Sequence, residues 1–89
     1  MRVQGIETKV NEYQVVRVWN DKNGCIKYKI DGGEQKTLKQ YVIRESIHDY
    51  YVSPTEDRLT KLYKGTKTNC LYWLAGYIGM IINICRGKQ

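Results

Sequence analysis

The sequence predicts an α+β fold: a small antiparallel sheet from the N-terminal half, with a short capped helix and an apolar C-terminal helix or hairpin packed on it. Three observations carry this reading. Val-rich and alternating segments flank an Asn-Gly pair at Asn23-Gly24. A capping box opens the stretch "SPTEDRLTKLYKG" at Ser53. The run "CLYWLAGYIGMIINIC", Cys70 to Cys85, concentrates apolar residues in an otherwise polar, basic chain.

The first half reads as strands and turns. "EYQVVRVW" carries the Val and aromatic residues that suit a pleated, half-buried surface. Asn23-Gly24 tolerates positive φ and marks a hairpin. The return run "CIKYKI" sends Ile26, Tyr28 and Ile30 to one face and Lys27 and Lys29 to the other. "DGG" at Asp31 to Gly33 supplies the next turn. A further strand is expected within "RVQGIETKV". For Leu38–Arg44 a strand is expected, followed by a shorter strand or turn around Ile47–Val52; a single helix from Thr37 to Asp49 is the alternative.

In the next segment Ser53 stands as an N-cap, Pro54 at the first helical position, and Glu56 three residues after the cap. Leu59, Leu62 and Tyr63 fall at i, i+3 and i+4, which predicts an amphipathic helix over Pro54–Lys64 closed by Gly65. Basic Lys61 and Lys64 near its end would suit the helix dipole.

Three roles compete for the apolar run: membrane anchor, partner face or core. Sixteen helical residues span roughly 24 Å, short of the ~30 Å hydrocarbon layer. Asn83 interrupts the run, and Lys or Arg flanks it on both sides. Of the 24 Val, Ile, Leu, Trp and non-initiator Met residues, eight lie within it: Leu71, Trp73, Leu74, Ile78, Met80, Ile81, Ile82 and Ile84. Surrendering a third of the best core residues would leave a thin, one-faced sheet, so the run is read as core. A helix with Thr68 or Asn69 as N-cap is taken over a hairpin breaking at Ala75-Gly76.

Length and charge bound the function. Eighty-nine residues suit one domain, 1–89, since two cores would each be too small to offset chain entropy. Nine basic and nine acidic residues balance through Asp57, whereas Arg58, Lys61, Lys64, Lys67, Arg86 and Lys88 face no acid afterwards. The net charge of +6 therefore resides in the last 32 residues and favours polyanions. Three widely spaced cysteines and an N-terminus without an apolar h-region point to a reducing cytoplasm.

His48, the lone histidine, lies beside Asp49, and Cys25, His48, Cys70 and Cys85 have the ligand count of a zinc site without its paired spacing. No phosphate-loop, dinucleotide or zinc-protease motif occurs. The expectation is a non-enzymatic binding module without cofactor or metal. Its first expected partner is another protein, as for an inhibitor or adaptor, because eight Tyr and two Trp suit contact surfaces. Nucleic acid, DNA or RNA, is the alternative. A small protein anchored in a membrane by residues 70–85 is the third reading and the one set aside. The candidate binding residues are Arg58, Lys61, Lys64 and Lys67, with Lys27 and Lys29.

Overall fold

Six strands follow one another in space in the order in which they follow in sequence, each antiparallel to the last. The computed structural model describes residues 5–21 and 24–87. The strands are β1 (Gly5–Lys9), β2 (Val15–Asn20), β3 (Cys25–Ile30), β4 (Lys36–Glu45), β5 (Tyr50–Pro54) and β6 (Tyr63–Gly65), and the chain closes with α1 (Lys67–Gly87). The helix packs against β1 and β2 at one edge of the sheet and β5 and β6 at the other, so the sheet curls around it.

The turns behave as their residues dictate. Gly24 adopts φ 86°, and its N–H donates to the Asp21 carbonyl. Asn23, the other half of the expected turn pair, lies outside the described residues. Asp31 (φ 54°) and Gly32 (φ 71°) occupy adjacent left-handed positions, and the Gly33 N–H closes on the Ile30 carbonyl, as in a type I′ turn. The Asp31 carboxylate also accepts from the Val15 N–H, tying this turn to the start of β2.

The segment with two readings is extended. Val42 and Ile43 sit in β4 between two pairing partners, β3 and β5. A helix at Thr37 to Asp49 would have forfeited both ladders. The β3–β4 register breaks between Cys25 and Ile26, where Leu38 and Val42 become successive partners. The extra residues shift the phase of β4, so Leu38 and Ile43 both reach the core.

The capped helix expected at Pro54–Lys64 is corrected by the structure. Ser53 and Pro54 complete β5, turns follow, and Tyr63 pairs with Val52 as the start of β6. Ser53 is fully buried and its hydroxyl accepts from Arg44 Nε at 2.8 Å instead of capping. The physical reason lies in the expected apolar stripe. Leu59 is 88% exposed and Leu62 41%, so of the expected stripe only Tyr63 packs against the core, and it does so from β6. Short isolated helices are marginal without such packing. Asp57 organises the loop: its carboxylate accepts from the Thr60 hydroxyl and the Leu59 N–H, which hold it below its usual range. The sheet thus extends beyond the N-terminal half, through Gly65.

The apolar run is a helix, not a hairpin. Thr66 is its N-cap, accepting from the Asn69 N–H at 3.1 Å, ahead of the expected Thr68 or Asn69. Cys70, Leu71, Leu74, Ala75 and Ile78 line its inner side and join Ile6, Val16, Val18, Ile26, Leu38, Ile43 and Val52 in the core. Tyr41 of β4 meets Trp73 and Tyr77 edge-on at 6.1 and 4.9 Å between ring centres. Asn83 fastens the helix to the β1–β2 loop: its Nδ2 donates to the Val10 carbonyl and its Oδ1 accepts from Asn11.

Candidate nucleic-acid interface

The face of the sheet turned away from α1 collects cations and aromatic rings. In β2, Val16 and Val18 are fully buried, so Arg17 and Trp19 between and beside them project outward. In β3 the same alternation buries Ile26 and turns Lys27 and Lys29 out. Register places Arg17 opposite Lys29 and Trp19 opposite Lys27. The Arg17 guanidinium carbon lies 5.9 Å from the centre of the Trp19 ring. Arg17, Trp19, Lys29 and Gln35 line a shallow hollow of about 300 Å³.

Two like charges directly opposite on a sheet repel, and a bound anion would relieve that cost. Glu7 lies opposite Arg17 on its other side, and the Asp21 carboxylate is 4.0 Å from Lys27 Nζ, so the repulsion is partly offset. Lys27 Nζ also donates to Thr37 Oγ1 at 2.8 Å, which orients it.

A second cluster occupies the other end of the same face. Val52 and Ile43 point inward, so Tyr51 and Arg44 point outward, with Tyr51 between Arg44 and Lys64 in register. Lys61 Nζ stands 4.9 Å from the centre of the Tyr51 ring. The Tyr51 hydroxyl donates to the Arg58 carbonyl, which holds the β5–β6 loop against the sheet. Arg44 is fixed by Ser53 and by the Thr55 carbonyl.

Five of the six candidate binding residues therefore border this outer face: Lys27 and Lys29 from β3, Lys64 from β6, Arg58 and Lys61 from the β5–β6 loop. The loop and β6, not the short helix expected there, carry Arg58, Lys61 and Lys64. Lys67 is separated from them. It opens α1 with Nζ 6.0 Å from the ring of Tyr50, which packs on the core side. Arg17, Trp19, Arg44 and Tyr51 complete the face and were not among the expected residues. "VVRVW" already carried the alternation that exposes Arg17 and Trp19. Arg44 and Tyr51 are brought together only by strand register.

The residues with reactive potential lie elsewhere. His48 is exposed in the β4–β5 connection. Cys70 is buried, and burial together with the nearby Asp49 charge pushes its thiol up, the opposite of what a thiolate nucleophile needs. Cys25 and Cys85 are exposed free thiols. Among the described residues, no three His, Cys, Asp or Glu side chains gather as a metal cluster. Compared with family models, with curated proteins and with solved structures, the chain matches none.

Proposed function

We propose that this protein is a non-enzymatic module that binds single-stranded nucleic acid on the outer face of its sheet. The observation that carries the reading is the Arg17–Trp19–Lys27–Lys29 group, in which cations flank an outward-facing indole. Cations on phosphates and a ring for a base to stack on are the two parts a single-strand site needs. The sheet face is broad and, among the described residues, carries no projecting helix, so it suits splayed bases better than a duplex groove. Tyr51 with Lys61 and Lys64 offers a second such pairing at the far end.

Fluorescence anisotropy with a labelled single-stranded oligonucleotide tests the proposal. Affinity should fall steeply with salt. Removing one lysine–phosphate pairing should flatten the slope of log K against log salt by about 0.7, so Lys27→Ala with Lys29→Ala should flatten it by roughly 1.4. Trp19→Ala should cost about 1–3 kcal/mol of binding while leaving the salt slope unchanged. Absence of binding to any oligonucleotide at low salt would end this reading.

A protein partner is the second reading, and one observation favours it. Leu59, 88% exposed, and Leu62 stand in the β5–β6 loop beside Arg58 and Lys61, a combination suited to an interface anchor. Under this reading a stoichiometric protein complex is lost on Leu59→Asp and is indifferent to Trp19→Ala.

A further inference from the structure

We propose that the free edge of β1 pairs with the same edge of a second copy of the chain, joining two sheets into one. This goes beyond the nucleic-acid reading and uses an edge of the sheet, not its outer face. β1 ends the strand order, and its register with β2 runs from Gly5 to Lys9 without a break. Hydrogen-bond phase fixes which of its backbone groups stay open. The Val10 N–H donates to the Gln14 carbonyl, toward β2. Val15, opposite Lys9 in register, turns its N–H and carbonyl the other way, to Asp31. Bonded and non-bonded pairs alternate along an antiparallel ladder, so Ile6 and Thr8 bond β2 while Glu7 and Lys9 turn their N–H and carbonyl groups outward. No described residue takes up those groups. Proteins ordinarily blunt such an edge with a proline, a bulge or an inward-pointing charge. Gly5–Lys9 carries none of these. The opposite edge, β6, is only three residues long.

Charge selects the occupant, because β1 is its own complement. A symmetric antiparallel pairing centred on Thr8 sets Glu7 opposite the partner's Lys9 and Lys9 opposite the partner's Glu7. Those are the positions whose backbone groups face outward, so this one register also forms about four backbone hydrogen bonds. Thr8 meets its own counterpart on the inner side. Centring on Glu7 instead would oppose two carboxylates. A foreign strand would have to carry the matching charges, whereas a second copy has them by symmetry. Glu7 and Lys9 are both exposed, and among the described residues neither side chain is in an ion pair. The net charge does not oppose the contact. The cation excess begins after Asp57, and Arg58, Lys61 and Lys64 belong to the opposite edge. Thr8, Tyr72, Gly76 and Met80 line a groove beside β1, and a partner strand laid along that edge closes over it. Joining the sheets also sets the Arg17–Trp19 groups of both copies on one continuous outer face.

Sedimentation velocity of the full chain across a concentration series tests the proposal, with amide hydrogen exchange measured at both ends of the series. A monomer–dimer equilibrium is expected. The Glu7 and Lys9 amides should gain protection as the dimer fills, whereas those of Ile6 and Thr8, already bonded to β2, should change little. Glu7→Lys alone and Lys9→Glu alone should each raise the dimer dissociation constant about tenfold, because two attractive pairs become repulsive. Glu7→Lys together with Lys9→Glu restores the complement and should return the constant close to that of the wild type. Both positions are exposed, so circular dichroism should show all three variants folded. The proposal is overturned if the chain stays monomeric at the highest concentration. It is also overturned if a dimer forms without protecting the Glu7 and Lys9 amides, as contact through α1 would produce, or if the folded double variant associates no better than the single ones.

Discussion

Leu74→Ala is expected to destabilise the protein by about 2–5 kcal/mol, the range for deleting a fully buried leucine side chain without collapse of the surroundings. For a domain of this size each kcal/mol moves the melting temperature by about 4–8 °C, so thermal denaturation should report a large shift. Leu74 lies at the centre of the inner helix side, where α1 faces both edges of the curled sheet. Loss of packing there weakens the hold on β1 and β2 together with that on β5 and β6. Truncation after Asn69 carries the effect to its limit. It removes Cys70, Leu71, Leu74, Ala75 and Ile78 from the core and exposes the concave side of the sheet to water. The truncated chain should lose amide dispersion and its cooperative transition. A truncated chain as dispersed and as heat-resistant as the intact one would refute the helix as the core of this fold.

Two glycines on the same helix should respond to alanine with opposite signs. A Cβ at Gly79 would stand 2.8 Å from both Cβ and Cγ1 of Val10, closer than packed atoms tolerate. Val10 cannot simply swing aside, because its N–H donates to the Gln14 carbonyl and its carbonyl accepts from Asn83. Overpacking of this kind costs about 1–3 kcal/mol, against a gain of up to about 1 kcal/mol in helix propensity. Gly79→Ala should therefore lower the denaturant midpoint. Gly76 is exposed, and a methyl group added there would meet nothing within 4 Å. Gly76→Ala should therefore raise the midpoint, by roughly 1 kcal/mol in stability. Val10→Gly in the Gly79→Ala background tests the cause. If the clash is responsible, the two changes should couple by about 0.5–3 kcal/mol; strict additivity would place the effect elsewhere.

Local chemistry made the β2–β3 and β3–β4 hairpins legible. "CIKYKI" alternates, "DGG" supplies adjacent residues able to take positive φ, and both elements form where those residues place them. Local chemistry spoke for both states of Cys70–Cys85, with Thr68 or Asn69 as an N-cap for the helix and the isoleucines and Gly79 for a hairpin, and the helix formed. Its burial was legible only in part. Leu71, Leu74 and Ile78 entered the core, whereas Met80, Ile81 and Ile84 stayed at the surface. An apolar run without charges carries no mark of which side meets the sheet, and the periodicity that would reveal it is absent.

The segment after Ser53 shows the opposite failure. Its capping box, first-turn proline and i, i+3, i+4 stripe were mutually consistent, yet β5 and β6 formed there. A local helix signal is worth a few kcal/mol at most, and it succeeds only if its stripe finds an apolar partner. Here α1 already fills the concave side of the sheet, and Val52 gains more by lying between Ile43 and Tyr63 in a ladder. The outer face followed the same division. Lys27 and Lys29 were readable from alternation, while the meeting of Arg44, Tyr51 and Lys64 depended on pairing across three strands.

By itself, the sequence determined the turns at Gly24 and Asp31–Gly33, the strand alternation in β3 between them and the basic imbalance after Asp57. These depend on residues near one another in the chain, where φ preferences and side-chain period act directly. The tertiary structure alone decided that 53–65 would be sheet and loop, which side of α1 would be dry, and which cations would share a face with Trp19 and Tyr51. Those outcomes turn on competition between distant segments for one limited apolar surface, and no local window contains both competitors.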